Sequence, residues 1–190
     1  MATYSPQLQQ TLARATFHSL VGGAGTGITI PIYSTTSPTC ALWNPGGSNK
    51  IVVPISIQLG AAATATPAIT SLALSQVINT TGSFATGLPI AAWTDATVYN
   101  GRIGGGGTGL NVGRVGVATT TLTAAGNSFY EFGLSQATTA LAPGWVWLEH
   151  DFNDKMTLDP GSLVHLVGNP LAPVETMVVS LSWYEIPYQA

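Results

Sequence analysis

Ile51-Val52-Val53-Pro54-Ile55-Ser56-Ile57-Gln58-Leu59 is the stretch that decides the fold class of this chain. Aliphatic residues fill every odd position, and the even positions turn polar. Successive side chains of a strand point to opposite sides, so this period of two marks a half-buried strand. Pro54 has no N–H to offer a ladder and places that strand at a sheet edge or at a bulge. The same alternation appears where Ile28, Ile30 and Ile32 interleave with Thr29, Pro31 and Tyr33. It returns where Met177, Val179, Leu181 and Trp183 interleave with Val178, Ser180, Ser182 and Tyr184. Weaker strand patterns run over 68–78, 112–122, 128–134, 145–152 and 162–167.

Turn formers separate these runs: Asn44-Pro45-Gly46-Gly47, Ala142-Pro143-Gly144 and Asp159-Pro160-Gly161. Proline presets the first turn dihedral and glycine takes positive φ without strain. Many short strands punctuated this way predict an all-β, antiparallel β-sandwich of jelly-roll type. One helix is expected, capped by Ser5 with Pro6 in its first turn and Leu8, Leu12 and Ala15 on one face. It would form an N-terminal arm, Met1 to about Phe17, followed by a hinge at Gly22–Gly27. The expected layout is thus arm and hinge over 1–26 and sandwich over 27–190. Arg102–Asn111, with Gly104 through Gly107, is expected to be an exposed loop.

Charge is the second informative feature. Ile51 to Thr94 contains no charged residue and no histidine, and the 190-residue chain is 7% charged and 45% hydrophobic. Soluble domains average roughly 25% charged residues. So sparse a surface implies that much of it is covered by other subunits or by a larger particle. Only Arg14, Lys50, Arg102, Arg114 and Lys155 are basic, none within a cluster, and the net charge is −3. No phosphate-tracking stripe can be assembled from them, so nucleic acid is excluded as a partner. The most apolar run, Ile51–Ala63, is interrupted by Pro54, Ser56, Gln58 and Gly60 and falls short of the roughly 20 residues that span a bilayer. Nor does the polar N-terminus carry the apolar run of a secretory signal, so a soluble protein made in a cytosol is expected.

Candidate chemistry is sparse. Cys40 is alone, which rules out an intrachain disulfide, and reads as a small buried hydrophobe. Gly104-Gly105-Gly106-Gly107-Thr108-Gly109 has dinucleotide-binding spacing, but 111–123 reads as strand where that site needs a helix. His18, His150 and His165 lack metal-ligand spacing, and His165 reads as a hydrogen-bonded strand histidine. Glu149, His150, Asp151, Asp154 and Asp159 gather oxygen donors that could hold Ca²⁺, although the order is not that of an EF-hand. The plainer reading of Glu149–Asp159 is a solvated loop. Trp145 and Trp147 share a strand face and could stack on sugar, or pack in a core or subunit interface. No Ser–His–acid set or Gly-x-Ser-x-Gly elbow is present. The expectation is no enzyme, no catalytic residue, no cofactor and no metal.

Two stretches resemble a known group. Leu42-Trp43-Asn44-Pro45-Gly46-Gly47-Ser48-Asn49-Lys50 runs straight into the alternating strand. It is similar to the entry segment of small virion proteins of tailed bacteriophages. Leu158-Asp159-Pro160-Gly161-Ser162-Leu163-Val164 and Val178–Pro187, closing in Trp183-Tyr184-Glu185-Ile186-Pro187, resemble the last strands of their jelly-roll domains. The resemblance implies a TNF-like or related jelly roll, often trimeric, acting as a capsid decoration, cement or fibre-base protein. Its expected partners are copies of itself and the major capsid protein or another virion protein, and its expected location is the virion, assembled in the host cytoplasm. A carbohydrate- or host-surface-binding module of a tail or head fibre, using Trp145, Trp147 and the Gly104–Gly109 loop, is the alternative.

Overall fold

A computed structural model of the chain describes residues 16–23, 27–33, 35–62, 69–77, 90–101, 111–117, 121–122, 126–132, 146–170 and 176–188. Every regular element among them is a strand: β1 (Thr16–Val21), β2 (Ile28–Thr29), β3 (Cys40–Asn44), β4 (Lys50–Ala61), β5 (Ile69–Val77), β6 (Ile90–Ala92), β7 (Val98–Asn100), β8 (Arg114–Val117), β9 (Thr121–Leu122), β10 (Asn127–Phe132), β11 (Val146–Asp151), β12 (Ser162–Pro170) and β13 (Thr176–Pro187). A front sheet runs β11-β4-β13-β1-β7, with β2 also on β13. A back sheet runs β10-β5-β12-β3-β8, and β6 pairs with β9 alone. Their ladders are antiparallel. Within them β1 meets β13, β3 meets β12, β4 meets β11 and β5 meets β10. The chain therefore runs out as far as β5 and returns alongside its own path from β10.

The sheets face each other across one apolar layer. Phe17, Ile57, Leu59, Val179 and Trp183 of the front sheet share a cluster with Leu42, Leu74, Val115, Val164 and Leu166 of the back sheet. That is the arrangement of a β-sandwich. β13 is its central rail: Met177, Val179 and Trp183 are fully buried, as the sequence alternation predicts. Burying a side chain of this size contributes about 1.5–3 kcal/mol.

β4 follows the alternation only in part. Ser182 lies opposite Ser56 and Trp183 opposite Pro54, so Ile55 is an extra residue, a β-bulge. Ile57 and Leu59 are buried on one side of the bulge, and Val52 and Pro54 on the other, while Ile51 and Ile55 are half-buried. Of the two placements open to Pro54, the bulge is the one realised, because β4 lies between β11 and β13. The carbonyl of Ile55 accepts from the Phe152 N–H at 2.8 Å, so the bulge leaves it satisfied.

Other expectations shift. Thr16–Val21, assigned from sequence to the arm and hinge, is a strand inside the front sheet, and the Phe17 ring packs 5.9 Å from that of Trp183. The Gly27 N–H donates to Gly22 O at 3.1 Å, and the residues between Gly23 and Gly27 lie outside the described residues. Gly22 has φ +79°, and a Cβ there would sit 2.9 Å from Gly27 Cα. The Ile28–Tyr33 run yields only the two residues of β2, and Ile32 is exposed. The helix expected from Ser5 lies outside the described residues, as does the Gly104–Gly109 stretch.

Candidate functional site

The two outer faces of the sandwich differ. On the back sheet, Ala41 and Leu163 pack with Leu122 of β9, flanked by Trp43 and Trp93, so the β6–β9 pair covers that side. Arg114 lies over both tryptophan rings, its guanidinium 5.1 and 5.7 Å from their centroids, and forks onto Asp95 at 2.9 and 2.6 Å. The Arg114 hydrogen bonds, helped by the Trp93 N–H, hold the Asp95 carboxyl below its ordinary range despite partial desolvation. On the front sheet, no described strand crosses the outer face.

Registers assemble that front face row by row, because residues directly opposite in an antiparallel pair share a side. One row reads Tyr99, His18, Ser182, Ser56, Asp151; the next reads Leu20, Ser180, Gln58, Glu149. The face is about 19 Å wide at the usual strand spacing. Across β7, β1, β13 and β4 these rows carry no Asp, Glu, Lys or Arg; the two carboxylates stand on the edge strand β11. Ser56 and Ser182 share a hydrogen bond of 2.6 Å, and Gln58 donates to Glu149 at 2.8 Å. Hydroxyls and amides already satisfied within the face lose little when water leaves. Leu20 and Tyr99 are 52% and 58% exposed, two of the four large apolar side chains exposed among the described residues. Short polar side chains with protruding apolar ones suit contact with another protein surface.

The residues that carry the phage resemblance converge elsewhere, at one end of the sandwich. Asn44 is fully buried; its Nδ2 donates to the carbonyls of Lys50 and Leu158, both at 2.8 Å, and its Oδ1 accepts from Ser48 Oγ at 2.7 Å. Its own carbonyl accepts from Gly161 N–H at 2.8 Å, locking the 44–50 turn to the Asp159-Pro160-Gly161 turn. Glu185, its side chain 2% exposed, accepts from the N–H groups of Val112 and Gly113 at 2.7 and 2.8 Å and pairs with Lys50 at 3.0 Å. A Cβ on Gly113 would lie 2.8 Å from Trp183 Nε1, so only glycine brings that segment close enough. The buried Asn44 and Glu185 of this corner spend their polar atoms on neighbouring backbone and side chains, while Lys50 stays partly exposed.

The remaining candidates resolve individually. Cys40 is buried, and desolvation pushes its thiol up to about 12, so it is inert. Glu149 and Asp151 belong to β11, not to a loop; 153–155 form an exposed turn, with Asn153 and Asp154 at positive φ. Asp154 accepts from Tyr184 Oη at 3.0 Å. No group of three His, Cys, Asp or Glu among the described residues could hold a metal ion. His150 Nε2 meets Tyr130 Oη at 2.9 Å. His165 is a buried strand histidine, but neither ring nitrogen has a hydrogen-bond partner, which corrects the hydrogen-bonded reading. Trp145 and the side chain of Trp147 lie outside what the structure describes. No described helix is long and apolar enough to cross a membrane.

Comparison with family models, with curated proteins and with solved structures finds no match for the chain.

Proposed function

We propose that this chain is a structural virion protein of a tailed bacteriophage, a capsid decoration or cement subunit that works as a homo-oligomer, with a trimer favoured, docked on the particle shell. The observation that carries the reading is the outer side of the front sheet: its rows are free of Asp, Glu, Lys and Arg across four strands, and Leu20 and Tyr99 stand exposed on it. Interface centres are depleted in charge and enriched in aromatic residues. A contact of this kind resists salt, because burial rather than ion pairing holds it.

Two further observations support the proposal. The pairing of first strands with last, in two antiparallel sheets, is what a jelly roll requires, and jelly rolls recur in viral capsid proteins. Furthermore, the corner built by Asn44, Ser48, Lys50 and Glu185 gives the phage-like motifs a shared architectural purpose. The remainder of the proposed arm, residues 1–15, precedes β1 and is assigned here to contact with a neighbouring coat protein. In this reading the subunit catalyses nothing; it adds contacts to a shell. The test is the mass of the purified protein, alone and after mixing with empty particles of its phage. Co-sedimentation at fixed stoichiometry, weakened by deleting residues 1–15 while the domain stays folded, is expected. A protein that never adds to the particles refutes the decoration role.

A further inference from the structure

On the outer side of the back sheet, away from the front face, a groove of about 260 Å³ opens beside β10. Its floor is Ala73, its polar flank Ser128 and Glu131, and its aromatic walls Phe129 and Tyr33. The register explains how it forms. Ser128 lies opposite Ser75 and Tyr130 opposite Leu74, leaving Phe129 as an unmatched bulge residue. A bulge re-aims its side chain, and the Phe129 ring is 44% exposed. Glu131 sits opposite Ala73, a small buried residue at the base of the groove. Tyr33 arrives from the segment that the Ile32–Gly168 bridge ties to the end of β12.

We propose that this groove is a saccharide-binding site for a single sugar ring. A pyranose presents an apolar C–H face and a fan of hydroxyls. Phe129 offers an exposed ring for the first, and the Glu131 carboxylate with the Ser128 hydroxyl offers acceptors and a donor for the second. Because of the bulge, Ser128 and Glu131 stand opposite Ser75 and Ala73, two positions apart on β5 and about 7 Å along the strand, which spans one ring. The carboxylate is exposed, and neither of the two ion pairs among the described residues uses it. Strand addition is disfavoured: β10 is the outer described strand of its sheet, and a bulge with an exposed charge blunts such an edge. Recognition here is by side chains.

This site is independent of the oligomeric reading. Titration calorimetry and saturation-transfer NMR with methyl α-glucoside, methyl α-galactoside, methyl α-rhamnoside and N-acetylglucosamine test it. At least one sugar should bind in the millimolar range, at least about ten-fold more weakly to Phe129→Ala and Glu131→Gln. Binding should be unchanged in about 0.5 M NaCl, since no ion pair is involved. Should Phe129→Ala lower the melting temperature, Ser128→Ala, which removes one exposed hydroxyl, keeps the comparison decisive. Absence of binding for all four sugars, or full retention in the variants, overturns the proposal. So does salt-sensitive binding of arginine amide in their place, which would make the groove a cation site.

Discussion

His165 stands between Ala41 and Ser75 on the outer side of the back sheet, buried, with both ring nitrogens unbonded. Desolvation lowers its pKa from 6.5 to about 4. The unfolded chain thus takes up a proton near pH 6.5 that the folded chain refuses until about pH 4. Stability is full above 6.5 and falls as the pH drops through that window, by about 3 kcal/mol at its lower end. Urea midpoints at pH 7 and pH 4.5 should show this loss in the native protein, and a smaller one in His165→Gln. Equal losses would remove the account of His165. Glu185 is the opposite case, a buried carboxylate with four donors around it: two backbone N–H groups, Lys50 and, at 3.4 Å, the Trp183 indole. Glu185→Ala strands those donors and should cost about 3 kcal/mol in urea unfolding. A cost under about 0.5 kcal/mol would show that the corner does not hold the 111–113 segment.

Elements were legible wherever one face alone is buried. β13 shows this best: four alternating residues predicted it, and their burial follows the pattern. β4 was legible as a strand but not in phase, since a bulge has no sequence mark beyond Pro54, and the odd-position pattern hides the shift at Ile55. Deleting Ile55 should leave a regular ladder, with Val52, Pro54, Ile57 and Leu59 alternating on the core face, so cooperative thermal unfolding should survive. Loss of cooperativity would mean that the bulge itself is required, through the Ile55 carbonyl that accepts from the Phe152 N–H. β1 is not legible in the sequence because His18 and Leu20 face outward while Ser19 points in, which inverts the polarity that the pattern needs. β3 was hidden for another reason: both of its sides are covered, so Cys40, Ala41 and Leu42 form a continuous buried run without alternation.

At the scale of the molecule, the shortage of charge pointed to hidden surface without saying where. Composition cannot locate a face; registers can, because they set Tyr99, His18, Leu20, Ser180 and Ser182 side by side from three distant parts of the chain. The groove at Phe129 was equally illegible, since it needs a bulge on β10 and a tyrosine from nearly a hundred residues earlier. The central claim is that the front face is covered in the working assembly. Sedimentation equilibrium at a few hundred micromolar, with Leu20→Glu/Tyr99→Glu as the comparison and empty particles as a second cell, tests it most directly. The native protein should run as a multiple of 19.6 kDa that persists in high salt, and the double variant as a folded monomer with unchanged melting temperature. A native protein that stays at 19.6 kDa and leaves the particles unchanged in mass would contradict the account.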